Sequence, residues 1–194
     1  MSNWAKELVI NLSDNFSLKM PLTCIDSETG FHIYSFNLMG KAKYNTKLAE
    51  LLYSALEEIE FDVIVCAESK SIALTQELCR ILGMEKYVVI RKSRKNYMSD
   101  AIHAEVKSMT TDTSQTLWLD GEDAEYLKQR KILIFDDVIS TGSTLDGLYS
   151  LLEPYKSHIV ACACILTEET QWTEYKGIPI VSLGHLPLPG VIGR

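Results

Sequence analysis

The stretch Ile132-Leu-Ile-Phe-Asp-Asp-Val-Ile-Ser-Thr-Gly-Ser-Thr-Leu145 decides how this chain is read. Its apolar start, with no polar alternation, predicts a strand buried on both faces, as in a parallel sheet covered by helices. The strand delivers two adjacent acids, Asp136 and Asp137, to its carboxyl end, where they are expected on a loop outside the core. Ser140, Thr141, Gly142, Ser143 and Thr144 follow, and then a helix begins. Small residues let the backbone close around an anion. Their N–H groups, the hydroxyls and the positive helix terminus together make a phosphate cradle. Gly142 is expected to allow a backbone angle or close approach that a side chain would block. Two carboxylates beside such a cradle suit a ligand that also carries hydroxyls or a hard cation, because magnesium prefers oxygen ligands. A Ser-Thr-Gly run alone would only cap a helix; the acid pair and the strand–loop–helix setting distinguish this one. With no Gly-x-x-x-x-Gly-Lys pattern, a Walker phosphate loop is excluded.

Outward from this stretch, strand-like and helix-like runs alternate. Leu48, Leu51, Leu52, Ala55 and Leu56 form one face of a helix over residues 43–60. Residues 62–67 predict a strand, 71–82 a helix closed by Gly83, and 87–90 the next strand. A short helix over 124–129 precedes the strand at 131–135, and the helix at 145–152 ends at Pro154. Strands at 159–166 and 178–183 complete the series. The fold class is therefore α/β, with a mainly parallel central sheet flanked by helices. Ligands of such sheets bind beyond the carboxyl ends of the strands, which points to the loops starting at Glu68, Arg91 and Asp136. Residues 93–115 are polar and weakly periodic, as expected of a flap over an active site.

The 194 residues, 46% hydrophobic and 23% charged, suit a single domain spanning 1–194. A net charge of −7 argues against a broad nucleic-acid-binding face. Arg91, Lys92, Arg94 and Lys95 nevertheless form a local cationic cluster, suited to screening a polyanionic group. No run resembles a signal peptide or a membrane span, so a cytoplasmic protein is expected. The five cysteines, Cys24, Cys66, Cys79, Cys162 and Cys164, are scattered. Cys66, Cys162 and Cys164 lie in strand-like runs as core thiols, and no zinc site is expected.

Residues 135–144 resemble the phosphoribosyl pyrophosphate (PRPP) signature of type I phosphoribosyltransferases, and Asp136 to Thr144 match it position by position. The resemblance implies that Asp136 and Asp137 hold the ribose 2′- and 3′-hydroxyls and bind magnesium, directly or through water. It places Val138 and Ile139 in the PRPP site and gives Ser140, Thr141, Gly142, Ser143 and Thr144 the 5′-phosphate. Glu68, Ser69, Lys70 and Ser71, between a strand and a helix, resemble the family's pyrophosphate loop. Arg91 and Lys92 resemble the Arg-Lys pair that begins the flexible loop of adenine phosphoribosyltransferases, and Lys95 stands where a further lysine is often found. Glu105, in His-Ala-Glu-Val-Lys, resembles the Glu of the catalytic Glu-Tyr-Gly loop in those enzymes.

Two features depart from the adenine branch. Its N-terminal Pro-x-x-Gly-Ile-x-Phe-x-Asp-Ile segment is absent, and Glu68-Ser-Lys-Ser71 stands in place of Glu-Ala-Arg-Gly. The resemblance implies a flexible active-site loop and a small hood, from about 20–40 and from 182–190, that would shape the base pocket. The implied activity is magnesium-dependent transfer of the phosphoribosyl group of PRPP to a purine base, adenine first, in nucleotide salvage. Xanthine, hypoxanthine/guanine and orotate are the alternative bases, and a PRPP-sensing regulator is the non-enzymatic alternative. A homodimer acting on small molecules, without nucleic acid or membrane, is expected.

Overall fold

The structure, a computed structural model, describes residues 4–107 and 114–192. It opens with β1 (Glu7–Ser13), β2 (Phe16–Asp26) and β3 (Phe31–Tyr34), followed by α1 (Ala42–Ala55), β4 (Val63–Ala67), α2 (Ser71–Leu82) and β5 (Val88–Ile90). Next come β6 (Ile102–Lys107), β7 (Ser114–Leu119), α3 (Gly121–Leu127), β8 (Ile132–Ile139) and α4 (Ser143–Leu151). A 3₁₀ turn (Glu153–His158), β9 (Ile159–Glu168), β10 (Glu174–Tyr175), β11 (Ile178–Leu186) and β12 (Gly190–Val191) complete the order.

The central sheet runs β10-β11-β9-β8-β4-β5, parallel throughout except for the edge strand β10. Every residue of β4 is buried, as its unbroken apolar run requires. Alternation along β8 sends Ile132 and Ile134 to one face and Leu133 and Phe135 to the other. The first face packs on α3, α4 and β7 and contains Cys162 and Cys164. The second packs on α1, α2 and β2 and contains Cys66 and Cys79. Helix α2 spans the predicted residues, and Gly83 caps it at φ 68, in the left-handed region open to glycine.

Besides the two-residue edge strand β10, two parts of the chain carry strands where none were predicted. A four-stranded antiparallel sheet, β1-β2-β3-β12, uses residues from Glu7 onward and docks on β11 at Gly184. A Cβ on that glycine would lie 3.1 Å from Leu12 Cδ2 and from Leu166 Cδ2. Strand β6, within the 93–115 segment, pairs antiparallel with β7, which starts at its end and runs on to Leu119, and Arg91 bridges Trp118 at their base. Residues 108–113 of that segment lie outside the described residues. Ala104, Val106 and Leu117 turn inward toward α4. Gly147 makes room for them, since a Cβ there would stand 2.2 Å from Val106 Cγ2. Among the described residues, no helix is long and apolar enough to cross a membrane.

Candidate active site

Strand β8 does not stop before its acids. Beside it β9 runs on, pairing Asp136 with Cys164 and Val138 with Leu166, so the ladder carries Asp136 and Asp137 inside the strand. Each is only 9% exposed, which corrects the expectation of a loop outside the core. Asp136 Oδ1 accepts hydrogen bonds from Ser71 Oγ and from the Asp137 backbone N–H, both at 2.9 Å. Burial, and then the neighbouring Asp137 charge, push the Asp136 carboxyl above the ordinary carboxylate range.

Beyond the acids the chain turns into α4 through Gly142, whose φ of 81 is the left-handed angle expected there. Residues 138–145, with Asp136, enclose a hollow of about 70 Å³ at the N-terminus of α4. Short side chains and a helix terminus line it, and helix N-termini favour anions. It adjoins a larger cleft of about 310 Å³. The loop at Glu68, Ser69, Lys70 and Ser71 enters this cleft from the end of β4, and Lys92 enters from beyond β5. Asp136, Asp137, Val138, Ser140 and Thr144 form the opposite wall.

Glu68 is engaged within the protein. Its Oε2 accepts from the Lys92 backbone N–H at 3.0 Å and from Arg91 Nε at 3.2 Å. The Lys92 N–H, with the Arg91 charge adding to it, holds the carboxyl below its ordinary range. Arg91 also donates to the Tyr97 hydroxyl at 3.2 Å, and Lys95 Nζ donates to Ser93 Oγ at 2.7 Å. Neither Arg91 nor Lys95 lines the cleft. Glu105 lies on the exposed face of β6, opposite the face that packs on α4, and does not line the cleft either.

Two residues not anticipated from sequence complete the site. Glu168, at the end of β9, lines the cleft, and burial pushes its carboxyl up. The strand-end rule that selected Glu68, Arg91 and Asp136 would have found it if applied to the 159–166 run. Trp172 donates its indole N–H to the Ser140 carbonyl oxygen at 2.8 Å. No signal in a polar stretch with one tryptophan marks that contact. Among the described residues, no group of three or more His, Cys, Asp or Glu gathers as a metal site. The oxygen-only pair Asp136–Asp137 still fits a hard cation, which would offset the burial and the Asp137 repulsion that raise the Asp136 carboxyl.

Residues 41–182 match the model of the phosphoribosyl transferase domain. The purine biosynthesis transcriptional repressor PurR of Bacillus subtilis is 24% identical over 140 residues, which cover 72% of this chain and 48% of the repressor. An adenine phosphoribosyltransferase of Petrotoga mobilis is 30% identical over 145 residues, covering 73% of this chain and 78% of the relative. The chain thus spans about half the length of the first of its curated relatives. Among solved structures, the adenine phosphoribosyltransferase from Thermoanaerobacter pseudethanolicus superposes with a TM-score of 0.69 at 19% identity. The match covers 86% of this chain and 95% of that one, a likeness of fold.

Proposed function

The chain belongs to the phosphoribosyl transferase family, and from that premise we propose that it transfers the 5-phosphoribosyl group of PRPP to a purine base, with adenine favoured, releasing pyrophosphate. One observation carries this reading: the acid pair, the 140–144 cradle and the 68–71 loop meet around adjoining hollows at one end of the sheet. In this role Ser140 to Thr144 grip the 5′-phosphate, and Asp136 and Asp137 accept hydrogen bonds from the ribose hydroxyls. Lys70 and Lys92 face the pyrophosphate. Departure of pyrophosphate builds positive charge on the sugar and negative charge on the leaving group, so catalysis is mainly positioning and electrostatic preorganisation. Magnesium, held by Asp136 and Asp137 directly or through water, would neutralise pyrophosphate charge. The 68–71 loop is kept in place by Glu68, which ties it to Arg91 and Lys92.

Adenine is supported by the Petrotoga relative and by the likeness of Arg91, Lys92 and Glu105 to that branch. The antiparallel sheet of β1, β2, β3 and β12, with the 182–190 segment, would serve as the hood that shapes the base pocket. A cytoplasmic homodimer in nucleotide salvage, acting on small molecules alone, belongs to the same reading. A second reading, a PRPP sensor without turnover, is favoured by the similarity to the Bacillus repressor over 72% of the chain. Turnover assays with PRPP, magnesium and a panel of adenine, hypoxanthine, guanine, xanthine and orotate decide between the two. Pyrophosphate release is expected, fastest with adenine, and calorimetric PRPP affinity is expected to fall when magnesium is withheld. PRPP binding with no release for any base would identify a sensor. No PRPP binding at all would defeat both readings.

A further inference from the structure

We infer that Trp172 is a positioning residue for the phosphate cradle, fixing through its indole N–H which way the Ser140–Thr141 peptide faces. The inference rests on the reading that residues 140–144 receive the 5′-phosphate. A peptide group is planar, and in the trans form its C=O and N–H point in opposite directions. Among the described residues only the Glu68–Ser69 bond is cis, so the Ser140–Thr141 bond is trans. The Ser140 oxygen is turned onto Trp172 Nε1 at 2.8 Å. The Thr141 N–H therefore points away from Trp172. The small hollow is walled by Asp136 and residues 138–145 and not by Trp172, so the Ser140 oxygen is engaged by a group outside that lining. One hydrogen bond thus occupies a carbonyl oxygen that would repel an anion and, by fixing the peptide plane, fixes the direction of the Thr141 N–H.

The same indole restrains the glycine that gives the loop its freedom. A Cβ on Gly142 would meet Trp172 Cζ2 at 3.4 Å and Cη2 at 3.5 Å, so the ring lies against the pivot of the turn. The tryptophan is itself tied to the helix behind the cradle. Its ring meets Tyr175 edge-on at 6.3 Å between centroids, and the Tyr175 hydroxyl donates to Asp146 Oδ1. Lys176 Nζ also donates to Asp146 Oδ1, at 3.1 Å. Asp146 sits in the first turn of α4, where a bare carboxylate would repel a bound phosphate; Lys176 balances that charge. The segment after β9 therefore ties together the loop, its glycine pivot and the helix terminus.

The test uses ribose 5-phosphate, which needs no base and no turnover. Trp172→Phe keeps an aromatic ring, smaller than the indole, and removes the N–H. Calorimetry is expected to show ribose 5-phosphate affinity falling roughly five- to tenfold, the worth of one such hydrogen bond. In turnover, KM for PRPP rises by a similar factor, while kcat and KM for the base stay as in the wild type. A Trp4→Phe/Trp118→Phe protein, which keeps only Trp172, is expected to change its emission when ribose 5-phosphate is added. This second variant decides the matter even if Trp172→Phe folds poorly. Wild-type affinity in folded Trp172→Phe, or unchanged emission in the Trp172-only protein, overturns the inference. If the wild type fails to bind ribose 5-phosphate at all, the phosphate-site reading falls and takes this inference with it. Binding without turnover removes only the enzymatic reading.

Discussion

The Asp136 carboxyl is at odds with its surroundings, being buried, next to another acid and raised above the ordinary range. An unperturbed aspartate titrates near ~3.9. A carboxyl raised in the folded state binds its proton more tightly there than in the unfolded chain. Its contribution to stability is therefore complete below the unfolded value and is lost as pH rises through the raised folded one. Asp136→Asn removes the charge but keeps an oxygen to accept from Ser71 Oγ and the Asp137 N–H. The ligand-free variant is expected to be more stable than the wild type at pH 8, by on the order of 2 kcal/mol, with a smaller gain at pH 5. PRPP turnover is expected to collapse in the same variant. Melting curves at the two pH values check this; an equal or lower melting point at pH 8 would show that the charge is tolerated. The acid pair was legible because two acids after an apolar run are conspicuous. Its burial was not, because that depends on how far β9 continues alongside. Trp172 was illegible for a similar reason: its partner is a backbone carbonyl 32 positions earlier, and backbone atoms leave no mark in a sequence.

At the scale of elements, the hairpin of β6 and β7 is held to α4 by a glycine. Helix propensity alone would make Gly147→Ala stabilising, by about 0.5–1 kcal/mol. Contact predicts the opposite sign, because the new methyl would collide with Val106 Cγ2 and Leu117 Cδ1. A net loss of about 1–2 kcal/mol is expected, as for overpacked cores. Amide exchange is expected to rise in β6 and β7 while β8 stays protected. Unchanged exchange in β6 would mean that the hairpin is not held by this contact. The elements read correctly from sequence were those with a long period or an unbroken apolar run, such as α2 with its Gly83 cap and β4. The hairpin was hidden because its inward set, Ile102, Ala104 and Val106, is short and sits among polar residues. In β1 the alternation of Leu8, Ile10 and Leu12 was present, but the exposed Val9 between them blurs the period-two pattern.

For the whole molecule, the parallel sheet divides the interior into two apolar layers, and the unbroken apolar runs of its strands were enough to foresee both. How the N-terminal strands cover one of these layers was not foreseeable, since that contact joins Leu12 to Gly184 across most of the chain. The distribution of thiols across this architecture makes the protein a reporter of its own unfolding. Cys24 is exposed, whereas the other four cysteines are buried, Cys66 and Cys79 in one layer and Cys162 and Cys164 in the other. Burial pushes the Cys66, Cys162 and Cys164 thiols up to about 12 and Cys79 to about 11, which disfavours the reactive thiolate. A chromogenic disulfide is expected to titrate one thiol in the native protein and four more as denaturant is raised. If those four react together, the two layers melt as one cooperative unit. If they react in pairs, mass spectrometry of the labelled peptides will identify the layer that opens first.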